Sequence, residues 1–456
     1  MAKITVGPVI GKVTDTTARV LIEVDDDADV TCTINSKGGD SASTTSSFKA
    51  GRPSVFAFKK LQPDTEYAVT FSGLAGTSPK GRIHTFAMNT DSLNIAAVSC
   101  NFLGRRGKRD LWADLRDRYV LPGDVDLVIH IGDQIYGDAA FARSLRIIND
   151  KEASTVKEQN NLISETYRKN YRAWWSEQAT RDVLANVSNL MIWDDHEIRD
   201  DWGSRPTDCD KNSIEFRIGT LARQVYREYQ RQLWDDFNTN TIPPTGEEQH
   251  FHIWGSIAVL FLDQRGGRSF GREPARPYLS TTQWDKLVAL LETGELSKVR
   301  AMIVVTSVPL IYLGNKTTEH GTGISDDLYD HWSHPINAKE QIEMLRELRL
   351  WKGDPNATQK ELLVVGGDVH VGGYTQIKHE KKDIFRQLIT SPITNHPPKF
   401  FEFLGLRVLT EAEESLTSSY SFEHSGLTNK RNYGIILVRV PQTGQPRVEG
   451  TLVKET

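Results

Sequence analysis

The sequence predicts an all-β sandwich at the N-terminus, followed by a larger α/β domain. Residues 1–89 contain short segments in which apolar and polar residues alternate, which is typical of antiparallel strands. From residue 90 onward, apolar runs alternate with helical patterns, which is typical of an α/β domain. Several of these runs end in acids, histidine or cysteine. We therefore expect two domains, residues 1–89 and 90–456, which a chain of 456 residues can accommodate.

The first section contains four candidate strands separated by turn residues. They lie at residues 18–24, 30–34, 54–60 and 66–71. Residues 38–47 are rich in Gly, Ser and Thr and are predicted to form a hairpin loop. Residues 61–69 resemble the turn and strand of a fibronectin type III module, whose tyrosine, Tyr67 here, bonds to upstream backbone. We interpret the section as a structural appendage, with an active-site wall or a partner surface as alternatives.

Composition excludes several classes of protein. The net charge of −5 gives no global attraction to nucleic acid or to anionic membranes, so no stable nucleic-acid partner is expected. The cysteines Cys32, Cys100 and Cys209 are too few and scattered for a disulfide framework and suit a reducing compartment. No signal segment is seen, and the longest apolar stretch, residues 301–313, is too short to span a bilayer. A cytoplasmic location is expected, with a secreted form that has lost its signal left open.

The central candidate site lies at residues 125–136, where an apolar strand runs into Gly132 and Asp133. Such a run is typical of a buried parallel strand, and glycine permits a sharp turn at its carboxyl end. Open α/β sheets place ligands at this edge. Asp133 and Tyr136 are hard oxygen donors that suit a metal ion, and the alternative is a turn capped by aspartate.

A second strand, at residues 94–101, ends at Cys100 and Asn101. A thiolate here can bind a metal, although packing is the simpler role for a single cysteine. One helix separates Cys100 from Asp133, so adjacent strands can bring the two side chains together. Arg105, in the following loop, is a candidate for contact with an anion, and the alternative is a solvated surface position.

A third strand, within residues 189–201, ends in a run of acids around a histidine. Asp195 can be a carboxylate ligand, and His196 can be a second ligand or a proton donor. Leaving such a cluster unpaired would be costly, and a metal ion would neutralise it. A helix N-cap would explain one aspartate but not the whole run.

Two further strand ends carry candidate residues. Arg265 is either a fork for phosphate or carboxylate, or part of a structural ion pair with Asp263. The strand within residues 361–370 ends at Asp368 and His370. These two residues alternate, so they point the same way on an extended segment and can face one dinuclear centre.

These blocks, in this order behind a β-sandwich, resemble those of the PhoD-like alkaline phosphatase family. They are Ser99-Cys100-Asn101, Gly132-Asp133-x-x-Tyr136, Trp193-Asp194-Asp195-His196-Glu197, Leu262-Asp263-x-Arg265 and Gly367-Asp368-Val369-His370. The family belongs to the calcineurin-like metallophosphoesterase superfamily. The resemblance covers nearly the whole chain and implies an α/β metallophosphoesterase domain with a two-sheet core flanked by helices.

The resemblance also implies roles for single residues. Asp133 matches a metal-bridging aspartate, and His196 matches the histidine that protonates the leaving group. The implied ligands are Cys100, Tyr136 and His370 for Fe³⁺, and Asp195 and Asp368 for Ca²⁺. Candidate substrate-binding residues are Asn101, Arg105 and Arg265. The histidine that many superfamily members carry after the strand at residues 303–305 is absent, so the identity and occupancy of the second metal stay open.

The implied reaction is hydrolysis of phosphomonoesters, and also of diesters, by a metal-activated water without a covalent intermediate. A phosphodiesterase or phospholipase-like enzyme uses the same metal core, and a non-catalytic phosphate-binding protein can share the fold. Both alternatives stay open, whereas adhesion through the sandwich has no positive signal. The expected partner is a small phosphoester, and the sequence leaves its identity and the oligomeric state open.

Overall fold

A computed structural model gives the architecture, and it describes residues 1–76, 79–104, 107–236, 248–269, 278–313, 330–354, 359–399 and 414–456. The N-terminal section forms seven strands in two antiparallel sheets. The strands are β1 (Ile4–Val13), β2 (Thr17–Val24), β3 (Ala28–Ser36), β4 (Ser41–Phe48), β5 (Ser54–Lys59), β6 (Glu66–Ser72) and β7 (Gly81–His84). Their orders are β1-β2-β5 and β4-β3-β6-β7. The ring of Phe56 in the first sheet lies 5.2 and 6.1 Å from the rings of Phe48 and Phe71 in the second.

One predicted loop in this section is wrong. Within residues 38–47, the chain enters β4 at Ser41 and pairs with β3 along its whole length. Hydroxyl groups bridge the two strands, with 2.8 Å between the Oγ1 atoms of Thr31 and Thr45 and 2.8 Å between Thr33 Oγ1 and Ser43 Oγ. Such cross-strand pairs stabilise a sheet although the composition looks loop-like.

The predicted contact of Tyr67 with upstream backbone is confirmed. Its hydroxyl accepts a hydrogen bond of 2.9 Å from the backbone N–H of Gln62, five residues earlier. The ring is buried in the sandwich core, so this bond fixes the turn before β6 against the core.

The remaining described strands form two mixed sheets. They are β8 (Ser92–Val98), β9 (Leu127–Ile131), β10 (Ser188–Ile192), β11 (His250–Trp254), β12 (Ile257–Phe261), β13 (Ala301–Thr306), β14 (Glu361–Gly366), β15 (Gly372–His379), β16 (Lys382–Ile389), β17 (Glu414–Ser415), β18 (Tyr420–Thr428), β19 (Asn432–Arg439) and β20 (Arg447–Lys454). The five-stranded sheet has the order β10-β9-β8-β19-β20, and the eight-stranded sheet has the order β11-β12-β13-β14-β16-β15-β18-β17. Strands β8–β10 run parallel, as do β12, β13, β14 and β16.

Helices cover the outer faces of the two sheets. The described helices are α1 (Leu111–Leu115), α2 (Asp138–Asn149), α3 (Val156–Trp175), α4 (Gln178–Asn186), α5 (Pro206–Cys209), α6 (Ile214–Tyr229), α7 (Thr281–Glu292) and α8 (Ala338–Lys352). A π-helical turn (Arg116–Val120) follows α1, and short 3₁₀ turns lie at Asp195–Glu197, Arg231–Leu233 and Glu295–Lys298. Among the described residues, no helix has the length and apolar character needed to cross a membrane.

Successive residues of the central strands face different layers of the fold. Ile129 of β9 and Ile303 of β13 belong to one core between the sheets. Val128 faces α1 and α4, whereas Val304 faces α7 and α8. Successive residues of a strand point to opposite faces, so strands buried on both faces read as continuous apolar runs. The two-sheet core flanked by helices is therefore present.

The sandwich is attached to α3 and α6 by buried ionic contacts. The carboxylate of Glu23, on β2, is fully buried. It accepts hydrogen bonds from Thr5 (2.9 Å), from Arg172 of α3 and from the hydroxyl of Tyr229 of α6. A buried carboxylate without such donors would be strongly destabilising, so these residues fix the sandwich against the two helices.

We expect Glu23→Gln to lower the free energy of unfolding by about 3 kcal/mol, because it breaks a buried ion pair. The measurement is urea denaturation followed by tryptophan fluorescence. The control is Glu66→Gln, whose solvent-exposed carboxylate lies 3.7 Å from Lys37 and 3.6 Å from Arg82 and whose loss should cost less than about 1 kcal/mol. Equal unfolding midpoints for the two variants would contradict the role given to Glu23.

Candidate metal centre

The carboxyl ends of β8, β9, β10 and β14 bring potential metal ligands together. The ligand atoms form three groups, and within each group they all lie within 4.8 Å of one another. The groups are Cys100, Asp133 and His370; Asp133, Asp195 and His196; and Asp194, Asp195 and Asp368. Asp133 and Asp195 each belong to two groups, so the three groups form one continuous cluster.

Tyr136 lies beside this cluster, because its hydroxyl is 3.2 Å from Asp133 Oδ2. The six residues predicted to bind metal are thus brought to one place. Asp194 was not among them. The sequence signal was its position beside Asp195, but two consecutive aspartates normally point apart on an extended segment. Here the chain turns after β10, so both reach the cluster.

The turns that present these side chains have unusual backbone geometry. Cys100, Asp133, Asp368 and His370 have φ values of 53°, 55°, 60° and 56°. L-residues rarely adopt this left-handed region, and such strain persists where the surrounding structure holds it, often at functional sites.

Glu197 holds the turn at Asp133. Its carboxylate accepts hydrogen bonds from the backbone N–H groups of Asp133 (3.1 Å), Gln134 (2.7 Å) and Asp194 (2.7 Å). One buried side chain therefore ties the end of β9 to the end of β10. This role of Glu197 was not predicted from the sequence, because Asp133 and Gln134 lie 64 and 63 residues away in the chain.

The cluster has the features that a cation would satisfy. Asp133 Oδ1, Asp194 Oδ2 and Asp195 Oδ1 are buried and have no hydrogen-bond partner. Burial raises the pKa of Asp133 well above its usual range; His196 opposes this shift, while Asp195 and Asp194 add to it. Unpartnered buried carboxylates are costly, and a bound cation removes that cost.

The donor atoms differ between the two ends of the cluster. Cys100, His370 and Tyr136 offer sulfur, imidazole and phenol donors, which suit a transition metal such as iron. Asp194, Asp195 and Asp368 offer carboxylate oxygens, which suit a hard cation such as calcium. The residues therefore fit two different metal ions. Asp133 belongs to the first end, and its ligand atom lies within 4.8 Å of that of Asp195 at the second end.

His196 lies over the Tyr136 ring, with 4.1 Å between ring centroids. Its Nδ1 is 2.9 Å from Asp138 Oδ2, and its Nε2 is 3.5 Å from Asp200 Oδ1. Removal from water lowers the pKa of His196, but the carboxylates of Asp195, Asp133 and Asp138 raise it more, to well above its usual value. Both ring nitrogens of His196 therefore face carboxylates beside the cluster. Asp138, at the start of α2, was not singled out from the sequence.

Arg265 lies behind the cluster and is fully buried. Its Nε is 2.5 Å from Asp194 Oδ1, its Nη1 is 2.6 Å from Asp330 Oδ2, and its Nη2 is 3.4 Å from Asp195 Oδ1. The side chain of Asp263 instead accepts from the backbone N–H of Arg265 at 3.0 Å. This placement favours the ion-pair alternative over direct contact with substrate, with Asp194 and Asp330 as partners.

The other two candidate substrate residues are placed differently. The side-chain oxygen of Asn101 accepts a hydrogen bond of 2.9 Å from Trp112 Nε1, and its backbone oxygen accepts one of 2.7 Å from Trp174 Nε1. Asn101 is buried, and these hydrogen bonds join it to two tryptophans of the fold. Arg105 lies outside the described residues.

Gly132 permits the close approach of β9 and β10 at the cluster. Its φ is +89°, and a Cβ placed there would lie 2.4 Å from Asp194 Cβ. Gly39, in the β3–β4 hairpin, has a φ of +96° and nothing within 4 Å of such a Cβ. Alanine substitutions at Gly132 and Gly39 therefore differ in one respect. Both incur the strain of a positive φ, but only the one at Gly132 brings the new Cβ against Asp194.

We expect Gly39→Ala to cost about 1 kcal/mol of unfolding free energy through backbone strain. Gly132→Ala should cost about 1–3 kcal/mol more, because the added methyl group displaces Asp194. Urea denaturation measures both. Equal losses would mean that the contact with Asp194 relaxes without cost.

Comparisons with known proteins identify the family and the fold of this chain. A family model described as PhoD-like phosphatase matches residues 95–444. Uncharacterized protein YGR266W of Saccharomyces cerevisiae is 23% identical, over 62% of this chain and 50% of that protein. The chain thus spans about half the length of this curated relative. A solved structure described as the structure of PhoD shares the fold, with a TM-score of 0.71 and 15% identity over 99% of this chain and 90% of that chain.

The family match spans most of the chain, including every strand end that contributes to the cluster. The resemblance inferred from the sequence blocks is therefore confirmed, and the chain belongs to the PhoD-like phosphatase family.

Proposed function

We propose that this chain is a metal-dependent phosphoester hydrolase, an alkaline phosphatase that acts on phosphomonoesters and accepts diesters. One observation carries the proposal: three buried carboxylate oxygens without hydrogen-bond partners converge in a cluster that also contains a thiol, a phenol and imidazoles. Membership of the PhoD-like phosphatase family supports the reaction class.

The proposed ligand sets combine the donor atoms of the cluster with the two metals that the family resemblance implies. Cys100, Tyr136 and His370, with Asp133, would hold Fe³⁺, and Asp194, Asp195 and Asp368 would hold Ca²⁺. When bound, such a pair supplies electrostatic stabilisation of the phosphoryl oxygens and lowers the pKa of a water molecule. In this interpretation Cys100 is a ligand and not a nucleophile.

The other residues of the site orient groups and move a proton. His196 donates a proton to the departing oxygen of the ester. Asp138 accepts from His196 Nδ1 and so fixes the orientation of the ring. The nitrogen that would donate to the leaving group is Nε2, which lies 3.5 Å from Asp200 Oδ1. Arg265 holds Asp194 and Asp195 from behind, which keeps the carboxylates in place while substrate binds in front.

We also propose that residues 1–89 and 90–456 are the two domains and that the first is fibronectin type III-like. The sheet pairing supports this division, because β7 ends at His84 and β8, from Ser92, joins the five-stranded sheet. The corner hydrogen bond of Tyr67 supports the likeness of the first domain.

The proposed function is tested by the hydrolysis of 4-nitrophenyl phosphate and of bis(4-nitrophenyl) phosphate, with metal content measured on the same samples. Asp133→Asn should lose iron and reduce both activities to background. The control, Asp126→Asn, lies just before the opposite end of β9, where the carboxylate accepts from the N–H of Asn94, and should retain activity.

The ratio of the two rates decides between a phosphatase and a phosphodiesterase. Metal-replete wild-type protein that hydrolyses neither ester would refute the proposal and favour phosphate binding without turnover. Equal activity of wild type and Asp133→Asn would place the chemistry elsewhere.

The role of His196 predicts a dependence on the leaving group. His196→Gln should slow hydrolysis of an alkyl phosphate by about 10²-fold or more, because the alkoxide needs a proton as it leaves. The 4-nitrophenyl ester should be affected much less, because nitrophenolate leaves without one. Measured kcat values for the two esters give the comparison, and an equal loss on both would assign His196 to metal or substrate binding instead.

A further inference from the structure

The loop that follows β16 contacts two of the candidate ligands, Cys100 and Tyr136, directly. We call Ser391–Asn395 the 391–395 loop. The hydroxyl of Ser391 donates a hydrogen bond of 3.1 Å to Cys100 Sγ. The side-chain amide of Asn395 donates one of 2.7 Å to the oxygen of Tyr136. A single loop therefore donates hydrogen bonds to both the sulfur and the phenol oxygen of the cluster.

A second contact of Ser391 agrees with this direction. The backbone N–H of His370 donates to Ser391 Oγ at 3.2 Å, which leaves the serine proton available for Cys100 Sγ. Cys100 Sγ also lies 3.6 Å from the backbone oxygen of Asp368. The Asn395 amide nitrogen also lies 3.2 Å from His370 Nε2. The loop thus contacts three of the residues that would hold the metal at this end of the cluster.

The loop is held in place from two sides. The side chain of Asn432, at the start of β19, bonds both the backbone N–H and the backbone oxygen of Ser391, at 3.1 and 2.7 Å. The backbone N–H of Asn395 donates to the oxygen of Cys100 at 3.2 Å. Ser391 and Asn395 are both buried. The two donors are therefore positioned by contacts of the loop with the surrounding fold.

We propose that Ser391 and Asn395 are positioning residues that tune and retain the metal ion bound by Cys100 and Tyr136, each donating one hydrogen bond to an anionic ligand atom. The inference rests on the iron site described under the proposed function. A hydrogen bond to a thiolate or a phenolate withdraws electron density from it, as hydrogen bonds to cluster sulfurs do in iron–sulfur proteins. Partners of this kind also orient the ligands and raise metal affinity.

The spectroscopic consequence has a definite sign. Light that moves an electron from a ligand atom to ferric iron needs more energy when a hydrogen bond stabilises that ligand atom. Removing the donor should therefore shift the charge-transfer absorption band to longer wavelength. Asn395→Leu removes the donor to Tyr136 and keeps the number of side-chain heavy atoms. Ser391→Ala removes the donor to Cys100 by the loss of one oxygen atom.

The matched control is Thr394→Val in the same loop. The hydroxyl of Thr394 bonds the backbone oxygen of Phe102 at 3.1 Å and makes longer contacts with the Cys100 backbone oxygen and the Asn101 side chain, but it does not contact the sulfur or the phenol. Its loss disturbs the loop without removing a hydrogen bond to a ligand atom. Thermal unfolding of all variants shows whether each one folds.

The experiment loads wild type and the three variants with ferric iron and records absorption spectra and iron affinity. We expect the band of Asn395→Leu and of Ser391→Ala at longer wavelength, and iron affinity about 10- to 100-fold weaker, with Thr394→Val unchanged. A folded Asn395→Leu protein that loses its iron while Thr394→Val keeps it would give the same support.

Unshifted bands in iron-replete Asn395→Leu and Ser391→Ala would overturn the inference and leave the proposed function intact. An equal shift in Thr394→Val would also overturn it, because any damage to the loop would then suffice. Wild-type protein that binds no iron would overturn the iron assignment itself, and the inference with it.

Discussion

The structure depends on a concentration of negative charge at one edge of two sheets. Asp133, Asp194 and Asp195 are buried there, and Asp368 lies against them. Carboxylates withdrawn from water need compensating partners. Arg265 supplies positive charge from behind, and the imidazole of His196 lies at one side. The compensation is incomplete, since three carboxylate oxygens lack hydrogen-bond partners, and this deficit is the strongest physical argument that the cluster receives cations.

Local geometry makes this concentration possible. Parallel strands deliver their carboxyl ends to the same edge, and residues with positive φ then turn the side chains inward over one or two positions. Glu197 joins two of these turns through backbone N–H groups. At the other end of the cluster, the 391–395 loop donates hydrogen bonds to Cys100 Sγ and to the Tyr136 oxygen. The residues that offer ligand atoms and the residues that hold them in position therefore lie in different segments of the chain.

Much of this was visible in the sequence because apolar strands followed by polar residues are local patterns. Cys100, Asp133 and His370 could be predicted for that reason, and the structure brings them together. Asp138 and Asn395 could not be found this way, because their relevance depends on contacts across 58 and 259 residues of chain. The environment of Arg265 was likewise undetermined, since its partner Asp330 lies 65 residues away. The strand β4 was missed for another reason: its hydroxyl side chains resemble a loop until their cross-strand partners are known.

The contacts between the sandwich and helices α3 and α6 limit how the protein can evolve by exchange of domains. Arg172 and Tyr229, which hold Glu23, belong to the same helices that reach the metal cluster. From α3, the hydroxyl of Tyr167 donates to the backbone oxygen of Ile198, and just beyond α6, Gln230 donates to Glu197. Exchange of the sandwich for an unrelated module would remove Glu23 from the buried hydroxyl of Tyr229 and from the partly buried Arg172, which would keep only Glu165 as its carboxylate partner. The two parts are therefore expected to be inherited together, and recombination between relatives should be tolerated only where the junction residues are retained as a set.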